Sequence, residues 1–430
     1  MSKRVLIVGY FHVDANMGGV RLRRIARLLP RHGWEPVVLT HQRDVNSPAN
    51  PQDGVRLEEV AAPNLTKIFS KVRRALGEKP VDAPASGGEP KAMAIGLTTT
   101  INRWLMIPDK HKLWYSRAVR RGRELLRGEK FDAIFASLEP RTALLVATRL
   151  ARESGVPCVI EYRDLWTGSP YELLAQPTPW HRWMHSRLER RILGRAQRVS
   201  AVCKGIADYL SKRYANLLRD PVELNYNFFD PEEYPRDAAR PSPEQPFVIS
   251  YTGGMYTGRS PLQFFEGMRL FIEQSGLTPQ QFRFRWAGAA YGIDDLAEVL
   301  DRTGVRPYLD FLGMVPHREA LRLLLASDAA LILQGPGDAI HIPGKLFEAL
   351  GARVPLLALA LPCEVTDIIT RCGGGVICPH TRESVAAGLA EFYRLHQKGA
   401  RWQFNETEVQ RFSADASVGR LAALFSQASG

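Results

Sequence analysis

Ile342-Pro343-Gly344-Lys345-Leu346-Phe347-Glu348-Ala349-Leu350-Gly351-Ala352-Arg353-Val354-Pro355-Leu356-Leu357-Ala358 sets one cation and one carboxylate at the start of an amphipathic helix. Pro343 is at home in a helix's first turn, so the free backbone N–H groups near Gly344 face an anion with no side chain in the way. Lys345 adds a charge beside them. Glu348, three residues on along the same helix face, is placed to accept hydrogen bonds from vicinal hydroxyls such as those of a ribose. Gly351 is expected to end the helix, and Val354 to Ala360 reads as a short buried strand. That arrangement suits a nucleotide diphosphate; the competing reading is an ordinary helix with a surface Lys and Glu.

Outward from this stretch, strand-like apolar runs alternate with helix-length segments: Val5–Val8, Val37–Thr40, Ala133–Ala136, Val156–Ile160, Val248–Tyr251, Arg283–Ala287, Leu309–Leu312, Ala329–Leu333 and Leu356–Leu359. Such alternation implies an α/β fold of parallel sheets with crossover helices. At 430 residues and 45% hydrophobic content the chain can bury two cores. The polar, proline-rich passage Asp237–Pro246 is the expected linker and hinge. The division reads as 1–240, 241–408 and a C-terminal amphipathic helix within 409–430.

Five segments stand in an order that resembles retaining GT-B glycosyltransferases of the bacterial family 4. They are Arg4-Val5-Leu6-Ile7-Val8 with a loop ending in Gly18-Gly19 and then Trp34–Thr40; Glu161-Tyr162-Arg163-Asp164-Leu165-Trp166; Asn225-Tyr226-Asn227-Phe228-Phe229-Asp230; Tyr251-Thr252-Gly253-Gly254 with Arg259; and the Lys345–Glu348 helix. The resemblance implies two Rossmann-like, doubly wound domains facing across a cleft. It assigns acceptor binding to the first and donor binding to the second, with the C-terminal helix crossing back onto the first. It also implies transfer of a hexosyl or N-acetylhexosaminyl group from a nucleotide diphosphate sugar, such as a UDP sugar, with retention of configuration. Surface-glycan assembly on a lipid-linked or polysaccharide acceptor is the setting. Many family members carry two glutamates eight positions apart, and Glu348 matches the second; the first position is Ile340 here, leaving Asp338 and His341 as the nearest polar candidates for the sugar.

Transfer from a nucleotide requires the departing diphosphate to be stabilised as charge develops, which fixed cations and helix N-termini can do without a metal or cofactor. Arg259 and Lys345 are the residues suited to this. Gly253, Gly254 and Gly344 permit close backbone approach to phosphate, as do Gly18 and Gly19 in the first domain. On the acceptor side Asp164 follows a predicted buried strand and is the candidate to orient or deprotonate the acceptor hydroxyl; its alternative is an N-cap on the next helix. Glu161 and Arg163 can pair with each other, and Trp166 either packs on a sugar or fills the core. His12, just beyond the first strand, is a weaker catalytic candidate. A nicotinamide enzyme is disfavoured: Gly9 stands alone after the first strand, Gly18-Gly19 come too late for GxGxxG, and Leu39-Thr40-His41 ends without an acid.

Residues 1–245 hold 40 Lys and Arg against 27 Asp and Glu, whereas the rest hold 17 against 18. The excess concentrates in Lys67–Arg74, Arg117–Arg127 and Arg182–Arg198, where cations alternate with Ile, Phe, Leu, Trp and Met. That pattern fits an anionic membrane surface. Nucleic acid is the other partner a pI near 9.6 suggests, but no zinc-finger, RNP or helix-turn-helix signature accompanies it. No apolar run reaches the length of a membrane span and no signal-type segment precedes the first strand, so the expected location is cytoplasmic, peripheral on the inner face of the plasma membrane. Five scattered cysteines without a CxxC pair read as reduced buried thiols. Glu78–Lys91, rich in Pro, Ala and Gly, reads as a mobile loop. Two other functions are compatible with these features: a sugar-nucleotide epimerase of the same architecture, and a non-catalytic basic adaptor.

Overall fold

The computed structural model describes residues 2–10, 17–42, 54–63, 107–168, 178–256, 261–291, 296–335 and 340–430. His12, Arg259, Asp338, the Lys67–Arg74 cluster and Glu78–Lys91 lie outside these residues. The described chain forms two compact α/β units: residues up to Tyr226 together with Ala414–Gly430, and Asn227–Ser413.

The first unit is a seven-stranded parallel sheet in the order β3-β2-β1-β4-β5-β6-β7. Its strands are β1 (Lys3–Val8), β2 (Trp34–His41), β3 (Arg56–Val60), β4 (Ala133–Ser137), β5 (Cys158–Tyr162), β6 (Arg198–Ala201) and β7 (Glu223–Leu224). Helices on both faces give the central strands continuous apolar runs: Val5–Val8, Ile134–Ala136 and Val159–Ile160 are all fully buried. Gly9 lets the Met17–Leu28 helix approach the end of β1, since a Cβ there would meet a Leu22 methyl at 2.7 Å. The helix Ala414–Ser429 belongs to this unit, with Phe425 against the Trp34 and Phe135 rings at 5.3 and 5.4 Å.

The second unit holds a six-stranded parallel sheet in the order β12-β10-β8-β13-β14-β15. Its strands are β8 (Phe247–Thr252), β10 (Phe282–Ala287), β12 (Leu309–Gly313), β13 (Ala329–Leu333), β14 (Leu356–Leu359) and β15 (Gly375–Cys378). A two-stranded ribbon, β9 (Met255–Tyr256) with β11 (Ala290–Tyr291), stands beside it. Interlocked rings of Phe247, Phe264, Phe265, Phe271, Phe282 and Phe284 fill the core.

Three boundaries differ from the sequence reading. The units part at Tyr226/Asn227, ahead of 240/241, because Phe229 packs inside the second unit, bridging to Ser413 and lying under the Arg353 guanidinium at 5.8 Å. Asp237–Pro246 is fastened to the second unit rather than free as a hinge: Asp237 pairs with Arg322 at 2.9 Å and Arg240 donates to the Ala352 carbonyl at 3.0 Å. The expected helix Val409–Gln427 is two, Glu406–Gln410 and Ala414–Ser429, and the chain changes unit between them.

Gly351 does not end its helix. The helix runs Gly344–Ala352 and is capped by Arg353 in the left-handed region at φ 56. Gly351 is instead a packing requirement, since a Cβ there would sit 2.3 Å from the Phe229 ring and 2.5 Å from the Tyr234 hydroxyl. Tertiary contact overrides the local stop signal. The cysteines are all free; Cys158, Cys203, Cys372 and Cys378 are buried, and burial pushes the Cys158 thiol up to about 12.

Candidate functional site

In the second sheet the strand order reverses beside β8: β10 follows on one side and β13 on the other. Crevices beyond the carboxyl ends of strands at such a point are where open α/β sheets bind ligands. Gly253 and Gly254 leave β8 there. The backbone is crowded: Gly253 N–H donates to the Ala287 carbonyl at 2.7 Å, Trp286 Nε1 donates to the Gly253 carbonyl at 3.0 Å, and a Cβ on Gly288 would fall 1.9 Å from that oxygen. Only glycines allow the two strand ends to pass this closely.

Lys345 enters the same crevice from the first turn of the Gly344–Ala352 helix. Its Nζ lies 3.8 Å from the centroid of the buried Tyr251 ring, a cation–π contact, and 2.3 Å from where a Gly253 Cβ would stand. The absent side chain of Gly253 is therefore what makes room for the ammonium group. Tyr251 is itself fixed, its hydroxyl donating to the Gly254 carbonyl at 2.9 Å. Pro343 is the N-cap residue, and no side chain caps the helix that begins at Gly344, whose N-terminus carries the positive end of the helix dipole. A fixed cation, a glycine-lined strand end and a helix N-terminus thus meet at one place.

Glu348 lies one turn further along, its side chain 11% exposed. His317, at the start of the His317–Leu325 helix, places Nε2 2.8 Å from Glu348 Oε1 and Nδ1 3.8 Å from Glu233 Oε2. Tyr234 donates to the Glu348 carbonyl at 2.7 Å. The carboxylate is held on one side by an imidazole that sequence reasoning missed; nothing in the spacing links positions 317 and 348. His341 keeps its main chain near the end of β13, where Gln334 Nε2 donates to its carbonyl at 2.9 Å.

In the first unit Gly18 and Gly19 lie in the first turn of the Met17–Leu28 helix rather than in the loop before it. Glu161, fully buried at the end of β5, pairs with Arg21 and not with Arg163: Arg21 Nη2 reaches Oε1 at 2.5 Å and Nε reaches Oε2 at 3.0 Å. Ser137 donates to Oε2 at 2.8 Å, and Arg21 also donates to the Asn225 and Tyr226 carbonyls, each at 3.1 Å. Burial raises the Glu161 pKa, but the Arg21 charge and these hydrogen bonds outweigh it and hold the carboxyl below its ordinary value. Arg163 turns instead to the Leu138 and Glu139 carbonyls.

Asp164 is exposed on the bend after β5. The first described helix after it, Pro179–Leu193, is capped by Thr178. Trp166 fills the core: it is fully buried and donates from Nε1 to His185 Nδ1 at 2.8 Å. Thr167 donates to the buried Glu189 carboxylate, to which the Tyr214 hydroxyl also donates at 2.7 Å. The segment bearing Asp164 is thereby pinned from below, with Asp164 itself exposed. Burial pushes His185 down to about 4, so it stays neutral and can accept from the indole.

Residues 18–224 match the glycosyl transferase 4-like domain family. No curated protein matches the chain. Three solved structures are similar over nearly the whole chain. Sucrose-phosphate synthase from Thermosynechococcus elongatus is 12% identical with a TM-score of 0.62, covering 99% of this chain and 98% of its own. Anabaena Alr3699/HepE in complex with UDP and glucose is 15% identical with a TM-score of 0.60, covering 99% and 100%. The lipopolysaccharide outer core galactosyltransferase WaaB in its apo form is 13% identical with a TM-score of 0.56, covering 99% of each chain. Two doubly wound units and a glycine-lined switch point with a lysine seated in it give the chain the GT-B fold of these structures, and residues 18–224, most of its first unit, are similar to the glycosyl transferase 4-like domain.

Proposed function

We propose that this glycosyltransferase takes a hexosyl or N-acetylhexosaminyl group from a nucleotide diphosphate sugar and transfers it, with retention of configuration and without a metal or cofactor, to a lipid-linked or polysaccharide acceptor at an anionic membrane surface. The observation that carries the proposal is Lys345 held between Tyr251 and Gly253 at the switch point. A cation fixed before the reaction stabilises the departing diphosphate at no reorganisation cost. The helix N-terminus at Gly344 adds to it, and Arg259 is assigned the same phosphates. Glu348, oriented by His317, takes the ribose hydroxyls; Asp338 and His341 are assigned the sugar. In the first unit Gly18 and Gly19 are assigned a phosphate contact, His12 a supporting catalytic role, and Asp164 the acceptor hydroxyl. An exposed aspartate on a pinned bend is suited to orienting that hydroxyl. A UDP sugar is the first donor to test, because Anabaena HepE, of the same fold, binds UDP and glucose.

The test is release of nucleoside diphosphate from a panel of nucleotide sugars, with and without bacterial membrane lipid, in the presence of EDTA. Release that requires the lipid, survives EDTA and falls by roughly 10²–10⁴ in Asp164→Asn supports the reading. Product NMR reports the anomeric configuration. Epimerisation without acceptor supports an epimerase instead, and no turnover of any nucleotide sugar supports a non-catalytic adaptor.

A further inference from the structure

The helix Pro179–Leu193 is inverted. Its buried face carries His181, His185 and Glu189 beside Ile192 and Leu193, whereas Trp180 and Trp183 are 42% and 55% exposed. These two indoles, three residues apart, share the outer face with Arg182, Arg187, Arg190 and Arg191. The Arg187 guanidinium lies 5.6 Å from the Trp183 ring centroid. Trp183, Ser186, Arg187, Arg190, Arg191 and Arg195 line one groove. Exposed aromatics are informative where burial is the default, and Trp beside Arg on a helix face is the composition that sits at a lipid–water boundary.

Charge separates this face from the Arg117–Arg127 cluster. On the Tyr115–Gly128 helix Arg121 pairs with Glu58 and Glu124 at 2.7 and 2.8 Å, Arg123 pairs with Glu153 at 2.7 Å, and Arg117 donates to the Ala61 carbonyl at 3.0 Å. Among the described residues no carboxylate lies within 4.0 Å of Arg187, Arg190, Arg191 or Arg195. Burial, then the charges of Arg191, Arg152 and Arg149, hold Arg195 below its ordinary pKa. Cations gathered against one another without counter-ions favour an external anion.

We infer that the outer face of the Pro179–Leu193 helix is the membrane-docking element of this protein, with Trp180 and Trp183 entering the headgroup boundary and the arginine groove engaging the phosphates of an anionic phospholipid bilayer. The inner face of the same helix holds the segment after β5 through Trp166–His185 and Thr167–Glu189. Docking the helix therefore places the Asp164 bend close to the lipid surface, which suits a lipid-linked acceptor. The inference narrows the membrane part of the proposed function to one helix, and it does not depend on sugar transfer.

The experiment is co-sedimentation of the full chain with vesicles of phosphatidylcholine alone or with phosphatidylglycerol. Anionic vesicles are expected to retain the wild type and neutral ones to release it. Each arginine near such a surface is worth about fivefold in affinity, so Arg187→Gln/Arg190→Gln/Arg191→Gln should bind roughly 100-fold more weakly. Trp183→Ser should weaken binding further at high salt, where the charge contribution is screened. Arg117→Gln/Arg121→Gln on the other helix should bind as the wild type does, and an unchanged circular dichroism melt shows that the variants fold. The inference is overturned if anionic vesicles fail to retain the wild type, if the triple variant binds as tightly as the wild type, or if duplex DNA competes at equal phosphate concentration. Nucleotide-dependent stabilisation of the same variants separates its failure from failure of the transferase reading.

Discussion

The two units share one architecture and specify their strand ends by opposite means. In the first, the carboxyl edge is built on buried ionic and polar groups: Glu161 with Arg21 and Ser137, Glu189 with Thr167 and Tyr214, His185 with Trp166. In the second, an aromatic core supports a strand end made of glycine, and the cation Lys345 rests on a ring. A polar network fixes orientation at a desolvation cost that is offset only when every partner is present. An apolar scaffold tolerates more. The difference predicts that the first unit is fragile to single polar substitutions and the second to steric ones.

The sharpest break comes from Arg21→Met, which leaves Glu161 charged and fully buried. It should cost the first unit about 3–5 kcal/mol, whereas Arg21→Met with Glu161→Met should recover much of that loss. Hydrogen-exchange protection of peptides from β1, β4 and β5 reads both variants.

Acid should separate the units next. Burial lowers His185 to about 4, so between its ordinary value near 6.5 and 4 only the unfolded chain takes up the proton. The stability His185 permits is complete above pH 6.5 and lost as pH falls toward 4, by about 3 kcal/mol at most. In the second unit the Asp328 hydrogen bond raises His396, whose contribution is complete below pH 6.5 and lost as pH rises through the raised value. Exchange protection between pH 7.5 and 5 should therefore fall in the first unit and hold in the second, and His185→Gln should flatten the first slope.

The steric counterpart is smaller. Gly351→Ala drives a methyl group into Phe229 and Tyr234 and should cost the second unit about 1–3 kcal/mol despite the better helix propensity of alanine. Equal or higher stability in urea would remove the claim that this glycine is a packing requirement.

These contrasts also explain what was legible in the sequence. Pro343-Gly344-Lys345 and Tyr251-Thr252-Gly253-Gly254 are local signals, since helix starts and glycine strand ends are written in neighbouring residues, and the alternating apolar runs mark most central strands of both sheets. Arg21 and Glu161 are 140 positions apart, and His317 and Glu348 are 31 apart. Pairings of that range depend on which strand lies beside which. Gly351 misled because its helix-ending chemistry was overruled by a ring from Phe229. Trp166 offered two readings that only burial distinguishes. The exposed tryptophans of Pro179–Leu193 escaped notice individually because periodicity shows amphipathicity without showing which face is inside.

The central claim is that Lys345, seated over Gly253, holds the diphosphate of a nucleotide sugar. Thermal unfolding with UDP, GDP and ADP, on the wild type and on Lys345→Ala, tests it most directly. A nucleotide at 100 times its dissociation constant should stabilise the wild type by about 2.7 kcal/mol, and Lys345→Ala, folded as before, should lose that gain. If no nucleotide diphosphate raises the midpoint of the wild type, or if Lys345→Ala keeps the full increase, the account of the donor site is wrong.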